Sequence, residues 1–417
     1  MTDPNGCSCA PGRLMPVDEA LDLLDRRTAV AVGIETVPLA EALGRVLARD
    51  VVSAISLPPC DNSAVDGYAV CLDDLSPDRD TRLPVTGRIA AGATLGRPAR
   101  RGEAIRIFTG AAVPDGVDTV LMQEDCRAEG DRVTLPPWTG RGANVRRAGE
   151  DVSAGAVALR AGVRLRAQEL GLAAAVGQPE LAVRERLRVA LFSTGDELRE
   201  PGAPLPPGCI HDSNRASVRG LLEGLGCAVT DLGILADREE VVRAALAGAS
   251  EGHDLIVTSG GVSTGEEDHV KAAVEALGGL HFWRLAIKPG KPIAMGEVNG
   301  VPFLGLPGNP VAAMVTFLVV ARPMVLKLAG RADTRPRPYP VRAGFAFRNQ
   351  PGRREYLRGR LEWGDDGVPR AIPFPSQGSG VLSSMTRSDG LIVVSEAVEV
   401  IAPGDNVPFL PFSALVG

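Results

Sequence analysis

Arg188-Val189-Ala190-Leu191-Phe192 runs directly into Ser193-Thr194-Gly195-Asp196-Glu197, an apolar stretch of strand length that breaks into a small polar turn. Working outward from it, the pattern predicts a helix over residues 214–225, a strand over 228–232 and a helix over 238–249. An apolar strand over 254–258 follows, ending in Ser259-Gly260-Gly261, and then a helix over 268–277 and a strand over 302–306. Pro310 opens a further apolar helix. Strands alternating with helices predict a βαβ series with a parallel sheet, whose ligands belong in the loops at the carboxyl ends of its strands.

The flanks have a different texture. Residues 1–12 read as a tail, and 15–24 carry a short amphipathic pattern that starts at Pro16-Val17-Asp18-Glu19. From 51 to 133 short apolar runs such as 83–87, 104–108 and 119–122 are broken by Gly, Pro and Asp, the pattern of a small β domain. A helix over 166–176 is closed by Gly177 and Pro179. Beyond Arg335-Pro336-Arg337-Pro338, which reads as a linker, strand-like runs at 390–395 and 399–402 suggest a second β domain.

Composition narrows the class. A chain of 417 residues predicts about two to four domains. A formal net charge of −6 argues against a nucleic-acid binder, which carries a basic face, so any anion must be held locally. The seven cysteines include no Cys-x-x-Cys pair, which argues against a disulfide framework or zinc knot. Cys7-Ser8-Cys9 could bind a soft metal but falls in the expected tail. The four histidines show no ligand spacing, leaving carboxylates as candidate metal ligands and a hard cation such as magnesium as the metal. The longest apolar run, 311–321, is interrupted by Thr316 and closed by Arg322-Pro323, short of the roughly 18 to 20 residues a membrane span needs. It is expected to be a buried helix. No basic patch followed by a hydrophobic region opens the chain, so a cytoplasmic location is expected.

Only four lysines occur, and two of them lie in Lys288-Pro289-Gly290-Lys291-Pro292. Two compact ammonium groups on a Pro/Gly loop suit an oxyanion or phosphate, and also suit a solvated turn. The loops after the strands, Ser193 to Glu197 and Thr258 to Ser263, put small residues where backbone must approach a ligand, although glycine-rich turns also arise from geometry alone. In Leu306-Pro307-Gly308-Asn309-Pro310, Asn309 fits a helix N-cap and Pro310 its first residue, so the positive end of the helix would open there, with or without a ligand. Asp196, Glu197, Asp237, Glu266, Glu267 and Asp268 lie in or beside these loops, where carboxylates near phosphate hold magnesium; capping competes for Asp237 and Asp268. In the first half, Asp61-Asn62-Ser63-Ala64-Val65-Asp66-Gly67-Tyr68 holds more polar capacity than one turn uses. Phe108-Thr109-Gly110-Ala111 adds a hydroxyl. Arg146 and Arg147 add guanidinium groups apt for phosphate, or for pairing with Glu150 and Asp151.

Taken together, in this order along the chain, these segments resemble the MoeA family of molybdopterin molybdenumtransferases. The resemblance runs from about Met15 to the carboxyl end. It implies an elongated, multidomain subunit with an α/β doubly wound molybdopterin-binding domain and additional β-rich domains. The implied division is a discontinuous linker domain (13–54 and 147–178), a β domain (55–146), the α/β domain (179–330) and a carboxyl-terminal β barrel (331–417). The implied reaction inserts molybdate into adenylylated molybdopterin with a divalent cation, releases AMP, and gives molybdenum cofactor. The resemblance also implies a homodimer whose site is shared between subunits, transient contact with the molybdopterin adenylyltransferase and with downstream apo-molybdoenzymes, and neither nucleic acid nor membrane as partner.

Carried over by position, Asp61, Thr109, Lys288 and Lys291 are the candidate catalytic residues and Glu197, Asp237 and Asp268 the candidate metal ligands. The candidate substrate-binding set is Asn62, Ser63, Arg146, Ser193, Thr194, Gly195, Asp196, Ser259, Gly260, Gly261, Pro307, Gly308, Asn309 and Pro310. Cys60 and Val65 stand where a Phe and a Met are usual, and His269 where an aromatic residue is more typical. Two alternatives remain. The α/β domain alone resembles the adenylyltransferase MogA, although the Asp61 loop argues for the insertion step. A scaffold resembling gephyrin, which also anchors membrane receptors, is less suited to a chain without a long linker.

Overall fold

The computed structural model describes residues 14–138, 140–261, 269–290 and 292–415. The expected tail with Cys7 and Cys9, the acidic run at 266–268 and Lys291 therefore lie outside the described residues.

At the centre stands a six-stranded sheet. Its elements are β1 (Arg188–Thr194), α1 (Ser213–Gly224), β2 (Ala228–Leu235), α2 (Glu239–Gly252), β3 (Leu255–Ser259), α3 (His269–Leu277), β4 (Gly278–Arg284), β5 (Pro292–Val298), β6 (Val301–Leu306) and the long helix α4 (Pro310–Leu328). The strand order is β2-β1-β3-β6-β5-β4. Alternation along each strand feeds two cores: Val189, Leu191, Leu255 and Val257 pack with α1 and α4, while Ala190, Phe192 and Ile256 pack with α2 and α3. Burial on both faces is why these strands read as unbroken apolar runs.

Two expectations need correction here. The sheet is mixed: β1, β2, β3 and β6 are parallel, but β5 pairs antiparallel with both β6 and β4. Asn299 and Gly300, at φ 49° and 82°, make a two-residue turn between β5 and β6, and so tight a connection can only join antiparallel neighbours. The apolar helix also does not close at Arg322-Pro323. It runs on to Leu328, long and apolar enough to cross a membrane, yet 89% of its apolar window is buried within the protein, as in a core helix. A widened turn over Phe317–Ala321, where the Arg322 N–H donates to the Phe317 carbonyl, precedes Pro323 where its ring would otherwise meet the carbonyl four residues back.

Outside this sheet, Ile34–Pro38 pairs with Glu180–Arg184 and Val51–Val52 with Val157–Leu159, around a small core that includes Leu47, Leu165 and Val183. The strand at 180–184 thus packs with the linking part, and the expected division before 179 falls one strand too early. The helix Val17–Arg27 goes the other way: Met15, Val17, Ala20 and Leu24 join the core around α4. A second six-stranded sheet carries Gly67–Val70, Thr81–Ile89, Ala104–Ile107 and Thr119–Met122. At the carboxyl end Arg354–Trp363 pairs with both Pro369–Pro373 and Gly390–Val394, closing a barrel through Tyr339–Ala343 and Asn406–Pro411.

One join positions the site. After β4 the two-residue strand Ile287–Lys288 leaves the central sheet and pairs in parallel with Arg354 and Glu355 of the barrel. The Arg354 N–H donates to the Ala286 carbonyl (2.8 Å), while Met15 exchanges hydrogen bonds with Arg284 and Ala286. Gly290 then turns at φ +102°, where an added Cβ would stand 2.3 Å from Thr316 Oγ1 of α4. Both the dihedral and the contact demand glycine. Gly290→Ala should therefore lower stability by about 1–3 kcal/mol, read as a fall in thermal unfolding midpoint; an unchanged midpoint would show that the loop is not seated as described.

Candidate functional site

A cleft of about 910 Å³ opens at the carboxyl ends of the parallel strands, floored by the α/β domain and walled on one side by the barrel. Of the sequence-predicted residues, Thr194, Gly195, Glu197, Asp237, Gly260, Gly261, Lys288, Pro307, Gly308, Asn309 and Pro310 line it. Parallel strands end in register, so loops far apart in sequence meet at one edge.

The floor is held by local hydrogen bonds. Asn214 Nδ2 donates to Ser259 Oγ (2.8 Å) and to the Gly308 carbonyl (2.7 Å), tying two of the loops together. At Gly261, φ +63°, an added Cβ would lie 2.5 Å from Thr194 Cγ2, so the chain reaches this closeness only without a side chain. Ser193 and Ser259 are buried beneath the floor, and Asp196 is exposed beside the cleft without lining it. Among the described residues the buried hydroxyls Ser193 Oγ and Thr258 Oγ1 have no hydrogen-bond partner.

Capping does not account for the two key positions. Asp237 does not cap α2: the N-cap is Arg238, without a side-chain cap, and Asp237 Oδ1 accepts from Thr194 Oγ1 at 3.2 Å. Asn309 is the N-cap residue of α4 but its side chain makes no cap hydrogen bond. Near that helix start, the Val311 N–H donates to the Ser379 carbonyl of the barrel (3.0 Å), so this donor is already taken.

Lys288 Nζ donates to Glu355 Oε1 at 2.9 Å, with the lysine side chain 50% exposed and that of Glu355 only 5%. Glu197 and Asp237 are the two predicted metal ligands described, and both face the cleft. Among the described residues no three His, Cys, Asp or Glu side chains gather as a metal cluster. Two carboxylates beside a phosphate-sized space nevertheless fit magnesium, which takes one or two carboxylates and completes its shell with water and substrate phosphate. Asp268, the third, and Lys291 lie outside the described residues.

The first-half residues form a separate cluster. The Asp61 carboxylate accepts the Ala148 N–H (2.8 Å) and pairs with Arg147, which hold it below the usual carboxylate range, the backbone bond first. Arg147 thus pairs with Asp61, while its N–H donates to Glu150. Thr109 donates both its N–H and its hydroxyl to Asp66 Oδ1 at 2.8 Å, lowering the Asp66 pKa. Asn62 and Ser63 pair with Arg146 and Val145. Ser63 is fully buried and donates to the Val65 carbonyl (2.6 Å), so its hydroxyl supports this loop from within. Arg146 is exposed. None of Asp61, Asn62, Ser63, Thr109 and Arg146 lines the cleft of the same chain.

The barrel's share of the wall was missed from sequence. Arg353, Gln377, Gly378 and Ser379 line the cleft. The buried Arg358 guanidinium holds their loop by donating to the Gly378 carbonyl (3.1 Å) and Ser384 Oγ (3.0 Å); burial pushes its pKa down to about 10. The small polar run Ser376-Gln377-Gly378-Ser379 resembles the loops of the α/β domain and was the available signal.

Three family models match in succession: the MoeA N-terminal region (domain I and II) over residues 15–177, a probable molybdopterin binding domain over 190–327, and the MoeA C-terminal region (domain IV) over 340–412. The chain is 38% identical to the molybdopterin molybdenumtransferase of Haemophilus influenzae over 97% of its own length and 100% of the relative's. It is 38% identical to molybdopterin molybdenumtransferase 2 of Mycobacterium tuberculosis, covering 89% of this chain and 93% of that one. The crystal structure of the molybdopterin biosynthesis MoeA protein from Pyrococcus horikoshii OT3 superposes with a TM-score of 0.81 at 30% identity, covering 96% of this chain and 100% of the other. With matches along nearly its whole length, the chain belongs to the MoeA family.

Proposed function

We propose that this chain is a molybdopterin molybdenumtransferase that inserts molybdate into adenylylated molybdopterin and releases AMP. The observation that carries the reading is the convergence of Lys288, the two carboxylates Glu197 and Asp237 and three small-residue loops on one cleft large enough for a nucleotide-linked pterin. The adenylyltransferase alternative would need only the α/β part, whereas here the barrel supplies a wall of the cleft and the partner of Lys288.

The residues divide the work by charge. Lys288 offers an ammonium to a tetrahedral oxyanion or to substrate phosphate, and the glycine loops let backbone approach the substrate closely. Glu197 and Asp237 would hold the divalent cation, with Thr194 orienting Asp237. When bound, the cation would offset the charge that develops as the phosphoanhydride opens. Catalysis is then electrostatic and positional, with no covalent enzyme intermediate.

The Asp61–Thr109 cluster enters through a second copy of the chain. Ile34, Leu43, Val52 and Val157, all exposed and all in the linking region, offer apolar surface for a homodimer in which that cluster completes the partner's cleft. A cytoplasmic setting, where the product would pass to apo-molybdoenzymes, completes the proposal.

Lys288→Ala should cut molybdate-dependent AMP release by about two to three orders of magnitude. Because that change strands a buried carboxylate, Lys288→Gln, which keeps a donor for Glu355, should lose activity alongside it with the fold intact by circular dichroism. Near-normal turnover in either variant would remove the assignment. Incubated with molybdopterin and MgATP alone, the protein should form no adenylylated product; its formation would favour the adenylyltransferase reading. Mixing an Asp61→Ala variant with a Lys288→Ala variant should recover part of the activity through mixed dimers, and no recovery would count against a shared site.

A further inference from the structure

We propose that Glu355 is a positioning residue that acts through Lys288, aiming the ammonium at the cleft and weakening its grip on the oxyanion so that product can leave. The inference rests on the function proposed above and assigns the barrel a part in it.

The parallel register sets Glu355 directly beside Lys288, and their side chains meet at 2.9 Å. The neighbouring cation does not neutralise Glu355: Arg354 pairs instead with Asp18 (2.8 Å) and Glu396 (3.1 Å). Lys288 is the one side-chain hydrogen-bond partner of Glu355 among the described residues. Glu355 is buried and Lys288 half exposed, and Lys288 lines the cleft whereas Glu355 does not; one carboxylate contact leaves the ammonium two further N–H donors.

Two consequences follow from charge alone. A lysine stem with four rotatable bonds is fixed in one direction, so less order must be imposed when substrate binds. An incoming oxyanion also meets a cation already partly neutralised, and binds less tightly than it would to a bare ammonium. Because Glu355 belongs to the barrel and Lys288 to the α/β domain, the seating of one domain on the other sets the effective charge of the cleft. An ion pair that merely clamped the domains would tune stability and leave molybdate affinity alone.

The test varies molybdate at fixed adenylylated molybdopterin and reads AMP release for Glu355→Gln, which keeps the size and an acceptor oxygen but removes the charge. The KM for molybdate should fall about three- to tenfold, the scale of one screened unit charge, with kcat falling by a similar factor as release slows. Glu355→Asp, which keeps the charge, should return KM towards the wild-type value. An unchanged or raised KM in Glu355→Gln overturns the proposal, whatever happens to the unfolding midpoint. Should that variant not fold, the double variant Lys288→Gln/Glu355→Gln, which strands neither charge, is compared with Lys288→Gln once circular dichroism shows both folded: residual activity should be the same in both, and a further loss in the folded double variant overturns action through Lys288. If the wild-type chain releases no AMP, the functional reading itself fails. Calorimetric binding of molybdate alone then tests the charge argument, with tighter binding by Glu355→Gln supporting it and equal or weaker binding ending it.

Discussion

The short parallel pairing of Ile287–Lys288 with Arg354–Glu355 is the constraint on which the rest depends. It takes a segment out of the central sheet, seats it on the barrel, and so fixes a cation at the border of two domains. Without that join Lys288 would extend from a loop of the α/β domain into solvent, and the barrel would supply neither its counter-charge nor the wall formed by Gln377 to Ser379. The helix Val17–Arg27 reinforces the arrangement, since Met15 bonds to the same segment and Asp18 pairs with Arg354.

Around this join the protein resolves an electrostatic difficulty. A molecule with a formal net charge of −6 must attract an oxyanion, and its wider field opposes that. The solution is local: lysine is nearly absent elsewhere, carboxylates such as Asp61 and Asp66 are committed to specific donors, and the α4 helix start opens at the cleft. Glu197 and Asp237 place negative charge at the same cleft, where they would hold a hard cation that offsets the charge of a phosphate.

Much of this was legible in the sequence, for identifiable reasons. Strands buried on both faces are unbroken apolar runs, so 188–192 and 254–258 were read to within two residues, and small-residue loops marked where they end. The antiparallel half of the sheet was overlooked although Asn299-Gly300 is a strong hairpin signal, because only the run over 302–306 was read as a strand and its hairpin partner before Asn299 was not. The helix past Pro323 was cut short because proline normally ends a helix, and the widened turn that accommodates it leaves no mark in the residue pattern. The barrel's contribution was missed because tertiary packing brings Ser379 to the cleft and Glu355 to Lys288, and only the small polar run at 376–379 hinted at it. In the Asp61 octet the reverse happened: its polar capacity is largely spent internally, on Arg147, Ala148, Thr109 and Val65.

The position of the bound oxyanion decides whether Lys288 has the role assigned to it. A crystal structure of the protein soaked with molybdate and AMP should show the tetrahedral anion within hydrogen-bond reach of Lys288 Nζ, with the nucleotide in the same cleft. Both ligands bound elsewhere, with Lys288 still paired to Glu355 and the cleft empty, would contradict it.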